Sequence, residues 1–174
     1  MTKTILRPAT PADVAALSAL AIDAFKAKFA ALYNAQDLAT FLSESLEEGP
    51  VAAELANPAR VYQLAEVDGR LIGFAKIGLT CGFPEHARGL RVMELKQLYT
   101  AADATGMGIG SKLMDWAMDQ FARAGADEAQ ISVYSENQGA HRFYERYGFE
   151  KVADITFKVG EQLDPEFLFA RILG

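Results

Sequence analysis

The chain is 174 residues long, enough for one hydrophobic core and short for two, so a single domain over residues 1–174 is expected. Hydrophobic residues make up 51% and charged residues 23%, the balance of an ordinary globular protein and not of a disordered or fibrous one. A net charge of -6 without any run of lysine or arginine excludes the basic stripe that nucleic acid or an anionic membrane demands, and the lone Cys81 excludes an internal disulfide, a zinc cluster and a Cys-x-x-Cys pair.

The amino terminus, Met1 to Pro8, lacks the apolar core of a signal peptide, and no apolar stretch approaches the ~20 residues of a membrane span, which reads as a cytoplasmic protein. Residues 4–7 read as a first strand. Thr10, with Pro11 next and Asp13 in the first turn, starts a helix whose apolar face (Val14, Leu17, Leu20, Ala21, Phe25) runs to about residue 31. Asn34 with Asp37, followed by Leu38, Phe41, Leu42 and Leu46, predicts a second helix that Gly49-Pro50 ends. A shorter third stops before Asn57-Pro58. Val61–Val67 and Arg70–Leu79 are predicted strands joined by Asp68-Gly69, a dipeptide that accepts positive φ in a two-residue hairpin turn.

Cys81 to Gly89 reads as a loop; Cys81 has no histidine nearer than His86, and neither is assigned a role. Leu90 to Tyr99 is a predicted strand with Met93, Leu95, Gln97 and Tyr99 on one face and Val92, Glu94, Lys96 and Leu98 on the other. Helical spacing resumes at Gly108 and ends at Gly125, which fits a helix C-cap. Ala129–Tyr134 is a strand, Asn137–Tyr147 a helix, and Phe149–Lys158 and Glu166–Leu173 the last two strands. This order describes a mixed α/β layer built on one central sheet.

Two segments carry chemistry. Thr105-Gly106-Met107-Gly108-Ile109-Gly110-Ser111 places three alternating glycines at a helix start, where unpaired N–H groups and the positive end of the helix dipole favour a phosphate or diphosphate. It lacks both the Gly-Lys-Ser/Thr end of the nucleoside-triphosphate loop and the spacing of the dinucleotide fingerprint. About thirty residues on stands Asn137-Gln138-Gly139-Ala140-His141-Arg142-Phe143-Tyr144, followed by Gly148-Phe149.

Together the two segments resemble the GNAT superfamily of acyl-CoA-dependent N-acetyltransferases over roughly residues 4–158. The first resembles its Gln/Arg-x-x-Gly-x-Gly/Ala turn, with Thr105 standing where the family usually has Gln or Arg; the second resembles its Asn-x-x-Ala-x-x-Phe-Tyr helix. The resemblance implies a mainly antiparallel central sheet with helices on both faces, and acetyl-CoA as acyl donor. It places the donor's diphosphate at Thr105, Gly106, Met107, Gly108, Ile109, Gly110 and Ser111. It places the pantetheine arm against the main chain of Leu98, Tyr99 and Thr100 like an added strand, with Asn137 and Phe143 also on the cofactor side.

By the same resemblance Tyr144 is the general acid that protonates the departing thiolate. Glu94 is the candidate that receives the proton of the amine, and a backbone N–H near Leu98 or Tyr99 would stabilise the oxyanion. Asn137 is also placed to cap its helix. The stretches from Ala24 to Leu42 and from Glu94 to Tyr99 are similar to bacterial diamine and polyamine acetyltransferases, so a small primary amine is the expected acceptor. The acidic Asp37, Glu44, Glu47 and Glu48 read as a solvated helix face, with attraction of a polycation as the alternative. The alternatives are a protein N-terminal or lysine acetyltransferase and a non-catalytic acyl-CoA-binding module. His141 and Glu145 read as a solvated pair, and Phe167-Leu168-Phe169 as an edge through which a homodimer would form.

Overall fold

Asp68 and Gly69 both take positive φ, 50° and 76°, the pair of conformations that a two-residue hairpin needs to match the twist of its strands. They join β2 (Arg60–Val67) to β3 (Arg70–Gly78), with Val67 opposite Arg70. The computed structural model describes residues 3–174 and builds outward from this hairpin. Strand β1 (Thr4–Pro8) lies beside β2, and β4 (Val92–Thr100) beside β3. Then come β5 (Glu128–Tyr134), β7 (Gln162–Ile172) and β6 (Glu150–Val159), giving one sheet in the order β1-β2-β3-β4-β5-β7-β6. Among the described residues β4 and β5 alone run parallel. Such a step requires a crossover, and α4 (Ile109–Arg123) supplies it.

Helices cover both faces, as expected. A Cβ on Gly73 of β3 would stand 2.9 Å from Ile109 and 3.3 Å from Leu113, so α4 backs directly onto that strand. On the opposite face Lys76 Nζ reaches Glu54 of α3 (Glu48–Ala56) at 3.0 Å, and α3 packs along α1 (Val14–Phe29). Two short helices, α2 (Ala35–Phe41) and α5 (Gln138–Arg146), complete the layers. Leu17, Leu64, Phe74, Ile77, Leu113 and Phe121 are fully buried at the centre.

Two expectations are overturned here. Gly49-Pro50 does not end the second helix: after Phe41 a wide π turn over Leu42–Leu46 leads to an extended Glu47, and Gly49 and Pro50 lie in the first turn of α3. Proline is tolerated there because the first four N–H groups of a helix have no intrahelical acceptor. The last strand, in turn, is no edge. Phe169 pairs with Ile131 of β5 on one side and Lys151 of β6 on the other, so both of its hydrogen-bonding sides are used and no second subunit can add to it.

Candidate active site

The parallel pairing of β4 with β5 stops at Leu95 opposite Ile131, although β4 continues to Thr100 and β5 to Tyr134. Beyond that point β4 is paired to β3 alone and β5 to β7 alone. A bulge at Lys96, where Leu95 faces Ile77 but Gln97 faces Lys76, bends β4 away. The two strands splay, and Leu98, Tyr99 and Thr100 lie along the resulting wedge. The bulge also overturns the predicted alternation. Past Lys96 the sides exchange, so Gln97 and Tyr99 join the Glu94 face and Leu98 joins Leu95 on the α4 face. Tyr99 accordingly packs edge-on to Phe74, 5.4 Å between ring centres.

At the start of α4, Gly106 and Gly108 take φ of 86° and 75°, a region that disfavours any other residue. A Cβ at either would meet nothing within 4 Å, so the space before the turn is open. The N–H groups of Ile109, Gly110 and Ser111 precede the first intrahelical bond, made by Lys112 N–H to Gly108 O at 3.1 Å. This open cradle of unpaired donors at a helix start fits a diphosphate. Met107 N–H is engaged by Ala104 O at 3.3 Å. Thr105 donates its hydroxyl to Ala102 O at 2.9 Å, so its side chain braces the loop while the main-chain donors stay free of it. Phe143 lies 3.9 Å from where a Cβ on Gly110 would stand, which ties α5 to the turn.

A cavity of about 690 Å³ opens at the wedge, lined by Glu94, Tyr99, Asn137 and Tyr144 together with α1 aromatics. Tyr144 is buried, held edge-on by Phe143 and Phe149. Burial, then the neighbouring Tyr99, pushes its phenol well above the ordinary value, and burial pushes Tyr99 up to about 12. Both therefore stay neutral at physiological pH. Asn137 caps α5, accepting from Ala140 N–H at 3.2 Å, and also lines the cavity. Glu94 is 5% exposed; it accepts Gly82 N–H at 2.6 Å and pairs with Lys96 Nζ at 3.2 Å.

Other expectations fall away. His141 does not pair with Glu145: its Nε2 lies 3.0 Å from Tyr134 O and its ring packs against Phe167 and Phe169. Asp37 attracts no polycation, because it is buried and accepts Glu161 N–H at 2.9 Å, clamping the β6–β7 turn. Glu44 does line the cavity, exposed, whereas Glu47 and Glu48 lie outside its lining. Cys81 stays in a loop, and His86 ends a one-turn 3-10 helix, Pro84–His86.

The structure brings in groups that spacing did not reveal. Lys76, buried in an apolar strand, meets Glu54 at 3.0 Å, and Arg60 meets the same carboxylate at 3.0 Å. Burial pulls the Lys76 ammonium down against the pull of Glu54. Glu166, also buried, accepts Ser132 Oγ at 2.6 Å. A lysine set inside the apolar run Leu71–Ile77 was the available signal for Lys76; Glu166, with Asp164 and Arg171 in the same strand, offered none. Among the described residues no group of His, Cys, Asp and Glu is arranged to hold a metal, and no helix is long and apolar enough to cross a membrane.

The sequence model of the Acetyltransferase (GNAT) family matches residues 26–149. The chain is 33% identical over 100 residues to an aminoalkylphosphonate N-acetyltransferase of Salmonella typhimurium, covering 58% of this chain and 63% of the relative. It is 26% identical over 121 residues to a Bacillus subtilis subsp. natto protein named "Probable spermine N(1)-acetyltransferase", covering 68% and 78%. A PaiA N-acetyltransferase of Thermoplasma acidophilum, solved in complex with coenzyme A, superimposes with a TM-score of 0.79 at 20% identity, covering 98% of this chain and 99% of that one.

Proposed function

Because the chain belongs to the GNAT acetyltransferase family and is therefore an acyltransferase, we propose that it moves an acetyl group from acetyl-CoA to a primary amine of a small molecule, in one direct step. The observation that carries this reading is that the splayed β4–β5 wedge and the buried, neutral Tyr144 meet in one cavity, while the open glycine cradle, outside that cavity's lining, is tied to the Tyr144 helix by Phe143 packed against Gly110.

Acetyl-CoA supplies the activated acyl carbon. The unpaired N–H groups of Ile109, Gly110 and Ser111 bind its diphosphate, and the free main chain of Leu98, Tyr99 and Thr100 orients its arm. The amine nitrogen forms a bond to the acyl carbon as the carbon–sulfur bond breaks. A main-chain N–H at Leu98 or Tyr99 steadies the charge developing on the carbonyl oxygen. Glu94 takes the ammonium proton before attack and passes it to water, Tyr144 gives its proton to the departing sulfur, and the second nitrogen proton, released as the amide forms, returns through water to Tyr144. An alkylamine has a pKa near ~10 and is mostly charged at neutral pH, so a carboxylate on the acceptor side serves both to attract it and to relieve it of a proton.

The test follows free thiol while acetyl-CoA is incubated with a panel of amines that includes diamines, an aminoalkylphosphonate and a lysine peptide. Tyr144→Phe should lower turnover on the order of a hundredfold or more with acetyl-CoA binding nearly unchanged. Absence of thiol release with any amine, despite saturable cofactor binding, would sink the reading in favour of an acyl-CoA-binding module. Transfer confined to the peptide would move the acceptor to protein.

A further inference from the structure

Three buried or half-buried carboxylates face the acceptor side of the cavity, and two of them already hold cations. Glu54 is paired with Lys76 and Arg60, each at 3.0 Å, and Glu94 with Lys96 at 3.2 Å. Glu166 differs. Its partner is an uncharged hydroxyl, Ser132 Oγ at 2.6 Å, and among the described residues no lysine, arginine or histidine pairs with it. It is only 9% exposed, and leaving an ionised carboxylate at such a depth without a counter-charge is costly. Burial pushes its carboxyl up, against the Ser132 hydrogen bond, and the charge of Asp164 pushes it up further.

Its surroundings are those of a cation receptor. Tyr134 stands opposite it in the β5–β7 register, Phe29 packs edge-on to Tyr134 at 5.9 Å, and all three line the cavity. Tyr33 and Tyr99 complete an aromatic wall around the carboxylate, and electron-rich ring faces attract ammonium groups. Among the described residues the one free cation along this part of the lining, Lys28, lies exposed at the rim.

From this geometry we infer that Glu166, with the aromatic wall of Phe29, Tyr33, Tyr99 and Tyr134, holds a second, non-reacting ammonium group of the acceptor, which makes the acceptor a diamine or polyamine. The inference rests on the amine-acetylating reading above. The reacting nitrogen must shed its proton to attack, and a carboxylate without a cation of its own keeps a nitrogen charged; Glu166 therefore suits the nitrogen that does not react. It is a specificity-determining residue, and its neighbour Ser132 positions it.

The test compares 1,4-diaminobutane with n-butylamine, which has the same carbon chain and lacks the second nitrogen. Each is titrated by calorimetry into the protein saturated with coenzyme A. The wild type should bind the diamine at least tenfold more tightly. Glu166→Gln keeps the shape and the Ser132 contact, and it should bring the diamine down to the butylamine level while coenzyme A affinity and melting temperature hold. Glu166→Asp, which keeps the charge on a shorter arm, should fall between. Equal binding of the two amines by the wild type, equal loss in Gln and Asp variants, or undiminished diamine binding by Glu166→Gln overturns the assignment. In the thiol assay, turnover of both amines alike would leave the acetyltransferase reading standing and remove the anchor alone. Coenzyme A binding with no binding or turnover of either amine would remove both.

Discussion

Replacing Gly108 with alanine tests the cradle through two readouts that need not move together. Gly108 has a φ of 75° and caps α4 in the left-handed region. An added Cβ would have no neighbour within 4 Å, so the fold itself raises no steric objection. What remains is the backbone cost of an L-residue in that region, about 1–2 kcal/mol. For a domain of this size that corresponds to roughly 2–8 °C in Tm. If the backbone holds its conformation, the new methyl projects into the open space before the turn. If it relaxes, the N–H groups of Ile109 and Gly110 rotate away, and either way coenzyme A should bind at least about tenfold more weakly, a loss of ~1.4 kcal/mol. Gly110→Ala is the control. Gly110 lies inside α4 without positive φ, and its Cβ would meet only the Phe143 ring at 3.9 Å. Alanine is the better helix former by up to about 1 kcal/mol, so that variant should melt at or above the wild-type temperature. Thermal denaturation and a calorimetric titration with coenzyme A measure both effects. Wild-type melting together with wild-type affinity in Gly108→Ala would refute the reasoning.

Glu94→Gln keeps an oxygen for Gly82 N–H but cannot take a proton; turnover at pH 7 should fall on the order of tenfold to a hundredfold and recover partly at higher pH as free amine accumulates. Unchanged turnover at pH 7 would reduce Glu94 to the partner of Lys96. Asp13 is held well below the usual carboxylate range by its hydrogen bonds with Arg7, and in part by Thr10 N–H. A carboxyl depressed in the folded state stabilises the protein above its unfolded pKa of ~3.9, and that stability drains as pH falls through the folded value. Asp13→Asn should therefore be less stable than wild type in urea at pH 7, and the gap should close toward about pH 2. A gap independent of pH would discount the ion pair. Lys76→Met should be tolerated to within about 1 kcal/mol, since Glu54 keeps Arg60, whereas Glu54→Ala leaves a buried ammonium without its partner and should cost about 1–3 kcal/mol by chemical denaturation.

What the sequence determined unaided is what the backbone decides over a few residues. The Asp68-Gly69 hairpin, the Asn34 and Asn137 caps and the glycines at 106 and 108 all follow from local φ preferences and side-chain reach, and all appear where expected. Asn137 was legible as a cap for the same reason, whereas Tyr144 was singled out only through the family resemblance of its helix motif. The tertiary structure alone decided the rest. The bulge at Lys96 arises from pairing between strands twenty residues apart, and by exchanging the faces of β4 it carries Tyr99 to the side of Glu94. Insertion of β7 between β5 and β6 converts a supposed edge into interior sheet and sets Glu166 against Ser132, thirty-four positions away in the chain. Asp37 looked available in an acidic stretch and is instead consumed by the turn at Glu161. Pairing partners, strand order and burial depend on which distant segments meet, and a pattern read one residue after another holds no term for that encounter.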